Sequence, residues 1–432
     1  MITTAYIHLW EKRIGAVAWD PTTGIGTFEY SPSYVKNGWD VSPIEMPISA
    51  GTNRIFSFPQ NRESSTFRGL PGLLADMLPD RYGNALINTW LTSRGRASNS
   101  LNPVEMLCFI GTRGIGALEI EPAYEPVAAT ASKIEISSLI AIADTILKER
   151  NNFKTNLSKE EEKALLSILK IGTSAGGARA KALIAYNPKT QEVRSGQTLA
   201  PKGYEHWLIK FDGVADSQLG STKGYGRVEM AYHLMAVQAG ITMTACRLLE
   251  EHDRAHFMTR RFDRGVDNTK LHVQSFCALR HFDFNEVGLY SYEQLFETMR
   301  MIGLPYPDAE QLYRRMVFNV LARNCDDHTK NFSFIMDREG NWRLSPAYDV
   351  CHAYRPGSQW VSQQSLSING KRQEISLDDY EQVAKAMNIK KWKDIVAAVS
   401  DAVRQWQRVA DSVGVDKKLR NAIQKTLLVP HQ

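Results

Sequence analysis

Residues 324–350 read NCDDHTKNFSFIMDREGNWRLSPAYDV, and the spacing of three polar residues in this stretch decides the fold. Asp326 and Asn331 form a D-x-x-x-x-N pair, and Asp349 follows after a predicted hairpin. That is the pattern of a phosphoryl-transfer loop with a later acidic residue placed to hold a metal. Upstream, Leu312 to Arg323 reads as a helix with Met316, Val317, Val320 and Leu321 on its inner side. Downstream, Phe332, Phe334 and Met336 alternate inward along a strand, Asp337 to Gly340 makes a turn, and Trp342 to Leu344 returns. Pro346 breaks the chain just before Tyr348 and Asp349.

Phosphoryl transfer asks chiefly for positioning and charge neutralisation. One carboxylate accepts or orients the proton of the acceptor hydroxyl, and Asp326 takes that role. An amide and a second carboxylate suit Mg2+, which prefers oxygen ligands, and Asn331 and Asp349 are the candidates. Asp327 is the alternative base. His328 either contacts phosphate and orients the loop or is a hydrogen-bonded structural histidine. Lys330 either neutralises charge or faces water.

A loop of this kind needs a phosphate grip, and the chain offers one upstream. Gly172 to Lys181 reads GTSAGGARAK. Gly176 and Gly177 let the backbone turn its amides toward one point, while Ala175 and Ala178 permit close approach. Thr173 and Ser174 add hydroxyls, and Arg179 and Lys181 add positive charge. The Walker pattern is absent, and a surface loop is the plain alternative. Lys210 then lies in the apolar strand HWLIKF, where it either snorkels or meets an anion. Glu229 falls on a predicted helix from Arg227 to Ala239, as the partner a kinase strand lysine uses. Arg260, Arg261 and Phe262 end a strand where a kinase reads adenine. The other reading of Arg261 and Asp263 is a structural ion pair.

The N-terminal third has a different texture. Three short apolar runs between Ala5 and Tyr30, broken by turn residues, predict a small antiparallel sheet. Between Phe67 and Thr92 the reading is helical, with Leu70, Leu73, Leu74, Met77 and Leu78 on one face before Pro79 and a second helix carrying Leu86, Ile87 and Leu91. GTRGIG, before Ala117 to Ile120, reads as a turn entering a strand rather than a phosphate cradle. EPAYEPVAATASK, residues 121–133, marks a boundary, and Ser158 to Glu161 (SKEE) is a capping box.

Composition narrows the class. The 432 residues are 43% hydrophobic and 23% charged, with a net charge of +5, which suits a globular chain of two or three domains. The clusters Lys390, Lys391, Lys393 and Lys417, Lys418, Arg420 are too short for a dedicated nucleic-acid arm and read as solvated helix faces. Five widely spaced cysteines without C-x-x-C support neither a disulfide framework nor a zinc site. No apolar run reaches the ~18 residues of a membrane helix, and no secretory pattern opens the chain, so the expected compartment is the cytoplasm.

Together GTSAGGARAK, HWLIKFDG, RRFDR, NCDDHTKNFSF and LSPAYDV resemble the HipA family, the serine/threonine-kinase toxins of bacterial type II toxin–antitoxin systems. The resemblance extends over nearly the whole chain, including LPDRYG and GTRGIG. It implies an α+β, protein-kinase-like two-lobed fold. Residues 1–130 would be an N-terminal subdomain with a small sheet, 131–264 a mixed N-lobe, and 265–432 a mostly helical C-lobe. It implies ATP and Mg2+ as cofactors, Asp326 as the catalytic aspartate, Lys210 on the nucleotide, and Asn331 and Asp349 on the metal. Ser174 matches the loop serine that family members autophosphorylate, with loss of ATP binding. A HipB-like helix-turn-helix antitoxin, operator DNA reached through it, and an aminoacyl-tRNA synthetase such as glutamyl-tRNA synthetase as substrate follow from the same resemblance. Asp327 stands where some relatives carry Gly. A small-molecule phosphotransferase and a kinase-fold co-repressor are the alternatives.

Overall fold

The computed structural model describes residues 2–51, 53–123, 143, 179–196, 199–214, 223–265 and 267–429. They gather into two compact units, each discontinuous in sequence. The first comprises Met1–Val41, Met46–Lys223 and Leu249–Val273, and the second Ser42–Glu45, Gly224–Leu248 and Gln274–Gln432. The capping box at Ser158 to Glu161, and Thr173 to Ala178 with Ser174 among them, lie outside the described residues.

In the first unit, apolar–polar alternation builds β1 (Thr4–Leu9), β2 (Lys12–Asp20) and β3 (Ile25–Tyr30), with Ala5, Ile7 and Leu9 buried. Trp10 and Glu11 form the two-residue connection between β1 and β2, both at positive φ (47° and 69°). Such a turn matches the strand twist but disfavours residues like these. A hydrogen bond from Trp10 Nε1 to the Lys270 carbonyl, 2.7 Å, holds the strained turn. With β4 (Ile55–Phe56) and β5 (Leu118–Glu121) the sheet order is β4-β3-β2-β1-β5.

The helix expected before Pro79 shrinks to one turn, Gly72–Ala75, which follows Pro71. The second helix, with Leu86, Ile87 and Leu91 buried, runs over Arg81–Ser93 as expected. Pro79, which lacks a backbone N–H, separates the two. Asp80 opens the new helix by accepting from Gly83 N at 2.7 Å.

The second sheet has β6 (Lys181–Tyr186), β7 (Val193–Ser195), β8 (Glu205–Lys210), β9 (Cys246–Glu251) and β10 (Arg254–Arg260), in the order β7-β6-β8-β10-β9. Every residue of β6 is buried, which is why ALIAY shows no alternation.

The second unit packs helices Tyr225–Gln238, Tyr292–Met301, Tyr306–Leu321, Leu377–Met387, Trp392–Arg404 and Trp406–Ser412 around one core. Tyr232 sits at its centre, edge-on to Phe318 at 6.2 Å and to Trp406 at 5.5 Å. Its hydroxyl donates to the Ala322 carbonyl at 2.5 Å, at the point where helix Tyr306–Leu321 ends. Arg323 then takes φ +54°, which stops the helix and turns the chain into the polar loop. Among the described residues no helix is long and apolar enough to cross a membrane.

Candidate active site

The loop that leaves the helix holds the residues singled out in the sequence. Asp326 presents a half-exposed carboxylate, with His328 Nε2 3.8 Å away. Asn331 Nδ2 donates to the Asp326 backbone carbonyl at 2.7 Å, closing the loop on itself. That bond fixes the amide and leaves its oxygen as the acceptor end. A single 3-10 turn, Thr329–Asn331, sets the geometry, and Thr329 Oγ1 bonds the Phe282 carbonyl at 2.8 Å. His328 packs on Phe284 with centroids 5.1 Å apart, and Lys330 Nζ lies 5.6 Å from the same ring.

Asp349 arrives by the predicted hairpin, Ser333–Met336 paired with Trp342–Leu344. Two buried residues of helix Tyr306–Leu321 fasten it. Asp308 accepts from Leu344 N at 2.9 Å and from the Arg343 guanidinium, while Arg315 Nη2 donates to the Ser345 carbonyl at 2.5 Å. Burial lowers the Arg315 pKa to about 10, still far above neutrality. The Ala347 amide bonds the Thr242 carbonyl at 2.8 Å, and Tyr348 Oη donates to the Lys330 carbonyl at 2.9 Å. Asp349 itself adopts φ +52°, a conformation that non-glycine residues rarely take and that concentrates at functional sites.

Asn331 and Asp349 line one small cavity of about 20 Å3, together with Asn319, Asn324 and Asp327. That volume admits a single water-sized particle. An amide and a carboxylate on such a space are hard oxygen donors that suit Mg2+. Among the described residues no group of three or more His, Cys, Asp or Glu forms a metal cluster.

Asp327 is unlike its neighbour. It is buried and accepts from Tyr292 Oη, Gln364 Nε2 and Ser365 N. Burial pushes its pKa up to about 6, against the lowering effect of those donors. Asp327 lines the cavity but spends its carboxylate on these three donors, whereas the Asp326 carboxylate is half exposed. Tyr292 and Gln364 carried no signal in the sequence, because each meets the loop only through the fold.

In the first unit, Lys181 lies directly opposite Lys210 across β6 and β8, and Phe257 lies opposite Lys210 across β8 and β10. The three therefore share one face of the sheet. Lys210 is half-buried, its Nζ 5.9 Å from the Phe257 ring centre. Lys181 is buried and paired with Asp80 at 2.7 Å. Arg261 is likewise engaged, in a two-pronged pair with Asp263 at 2.9 and 2.7 Å. Arg264 joins them, and Gly116 N donates to Asp263 at 2.7 Å. Burial alone would raise the Asp263 pKa, but the two guanidiniums outweigh it and hold the carboxyl well below its usual range. GTRGIG is thus a turn whose backbone serves this ion cluster. Arg260 lies 3.8 Å from Glu205, and Phe262 is half-buried in the turn that follows β10. In the second unit, Glu229 is buried on helix Tyr225–Gln238.

Comparison with known proteins speaks to family and fold. Residues 5–121 match the family model described as the HipA N-terminal domain, and residues 173–416 match the HipA-like C-terminal domain. A relative from Sinorhizobium fredii (strain NBRC 101917 / NGR234), Y4mE, named as a candidate kinase, is 25% identical over 125 residues. The match covers 27% of this chain and 30% of that protein, so it spans under a third of the relative's length. Among solved structures, the chain is similar to the HipA of Shewanella oneidensis MR-1, determined with HipB and operator DNA. The TM-score is 0.65 at 17% identity, over 98% of this chain and 94% of that one. At that identity the likeness speaks for the fold alone, in which helices and antiparallel sheets are both present, as expected. The Helicobacter pylori proinflammatory kinase CtkA gives a TM-score of 0.37 at 13% identity, over 51% of this chain and 84% of its own.

Proposed function

The chain belongs to the HipA family, and from that premise we propose that it is an ATP- and Mg2+-dependent protein serine/threonine kinase acting as the toxin of a toxin–antitoxin module. The observation that carries the reading is the bond from Asn331 Nδ2 to the Asp326 carbonyl beside an Asp349 held at positive φ. It joins a half-exposed base to two oxygen donors on one cavity, which is the constellation phosphoryl transfer requires. In this reading Asp326 orients and deprotonates the acceptor hydroxyl. Asn331 and Asp349 hold Mg2+, which neutralises phosphate charge when bound.

Lys210 contacts the nucleotide, Glu229 supports it, and the Gly-rich loop of Thr173 to Ala178 cradles the phosphates. Lys181, Arg260, Arg261 and Phe262 border the nucleotide, and His328 and Lys330 flank the phosphates. Ser174 is the autophosphorylation switch. The protein partner is a HipB-like antitoxin dimer and, through it, operator DNA, as the printed assembly of the Shewanella relative suggests. The substrate class is a translation component, by family resemblance an aminoacyl-tRNA synthetase.

Asp326→Gln tests the core of this. It is expected to cut phosphate incorporation from ATP by at least 10²-fold and to abolish growth arrest at equal expression. Mass spectrometry should find phospho-Ser174 in the active chain only. An Asp326→Gln protein that still arrests growth sinks the proposal.

A further inference from the structure

Asp327, adjacent to the proposed base, is the centre of a hydrogen-bonded knot. Its carboxylate is buried, 1% exposed. It accepts from Tyr292 Oη at 2.7 Å, Gln364 Nε2 at 3.0 Å and Ser365 N at 2.6 Å. The same two downstream residues reach the chain on the other side of Asp326. Gln364 Nε2 donates to the Asn324 carbonyl at 3.2 Å, and Gln364 Oε1 accepts from Cys325 Sγ at 2.9 Å. Ser365 Oγ donates to the Cys325 carbonyl at 3.0 Å. Behind the loop, Asn319 Nδ2 donates to Tyr292 Oη at 3.0 Å, and Asn324 Nδ2 donates to Asn319 Oδ1 at 2.9 Å.

The pattern is asymmetric in an informative way. Residues 324, 325 and 327 are all bonded into the interior, while Asp326 between them is the one whose carboxylate is half exposed. A purely structural anchor could sit anywhere in the second unit. This one brackets the reacting residue, and bonds in a low-dielectric interior are strong enough to fix a backbone that otherwise has no regular structure. The knot also catches the chain on its return from an exposed turn. Asp349 leads to Ala353, whose carbonyl accepts from Cys325 N at 3.0 Å, and residues 354–361 close on themselves through Arg355 N to the Val361 carbonyl at 3.1 Å.

We propose that Asp327 is a positioning residue for phosphoryl transfer, whose carboxylate ties Gln364 and Ser365 to the backbone on both sides of Asp326 and thereby fixes the base. The proposal rests on the kinase reading above. Misplacing a reacting group by about 1 Å costs on the order of 10²-fold in rate, so the effect belongs in the maximal rate and not in nucleotide affinity.

The test uses the full chain and its autophosphorylation from ATP, with initial rates taken across ATP concentrations and normalised to the ATP-binding fraction. Asp327→Asn is expected to lower the maximal rate 10- to 100-fold while the half-saturating ATP concentration stays within twofold. Gln364→Leu, which leaves the carboxylate in place and deletes the tie, should give the same split and decides the matter if Asp327→Asn does not fold. Amide hydrogen exchange should quicken in both variants over residues 324–331 and 353–366. A maximal rate within twofold of wild type in a folded variant overturns the proposal, and so does a rise in half-saturating ATP at unchanged maximal rate. Asp326→Gln separates the two readings. If the wild-type chain incorporates no phosphate, the kinase reading itself fails; if Asp326→Gln keeps the wild-type rate, the base assignment and with it the positioning role fail; if Asp326→Gln is inactive while Asp327→Asn is not, only the positioning role fails.

Discussion

Two lysines directly opposed on neighbouring strands would repel, and Lys181 and Lys210 stand in that relation across β6 and β8. Asp80 resolves the conflict by pairing with Lys181 while it also caps helix Arg81–Ser93. Asp80→Asn keeps a capping oxygen but removes the charge, stranding a buried ammonium. The expected loss is about 3–5 kcal/mol, measured by denaturant unfolding. Adding Lys181→Met to that variant should recover most of it. A loss below about 1 kcal/mol would mean the pair does not matter to stability. Residue by residue, legibility followed sequence distance. Asp326, Asn331 and Asp349 declare themselves because their spacing is local and their chemistry specific. Asp80, Tyr292 and Gln364 stay silent because what each does depends on a partner far along the chain.

At the scale of elements, strands were easier to read than helices. β1, β2 and β3 and the hairpin after Asn331 follow apolar alternation closely. Around Pro79 the same leucine pattern suggested a longer helix than the chain forms, since buried leucines recur in a compact turn as well as on a helix face. The loop of residues 324–331 is an element too, held by a carboxylate whose pKa burial has raised to about 6. Because Asp327 binds its proton more tightly folded than unfolded, its contribution to stability is fully present below about pH 4 and is lost as pH rises through 6. Between pH 4 and 7 the wild type should therefore lose about 2–3 kcal/mol relative to Asp327→Asn. Parallel unfolding curves across that range check it. A difference that is constant with pH would contradict the assignment.

For the whole molecule, family boundaries and folding boundaries do not coincide. The N-terminal family model ends at residue 121, yet the compact unit that holds all of it but Ser42–Glu45 also takes in residues up to Lys223 and Leu249–Val273. Lys181, Arg264 and Lys270 each supply that early region with a buried or half-buried bond: to Asp80, to the carbonyls of Gly114 and Gly116, and to Glu119. A fragment of residues 1–123 is thus expected to melt without a cooperative transition, whereas residues 1–273 should retain one in the first unit. Circular dichroism against temperature distinguishes the two. A sharp transition in the short fragment would refute the dependence. This continuity was legible only in part. The linker-like composition of residues 121–133 suggested a boundary, and composition cannot report ion pairs made across it.

The discontinuity of that first unit bears on how the chain is made. β1 and β5 emerge from the ribosome early, but Arg264 and Lys270 follow about 150 residues after β5, a wait of roughly 10–30 s at ordinary elongation rates. For that interval the nascent N-terminal sheet lacks its electrostatic partners, and the acidic group at Glu119 and the bare carbonyls of Gly114 and Gly116 face solvent or a chaperone. A codon-level pause before residue 273 would lengthen the exposure, and one after it would not.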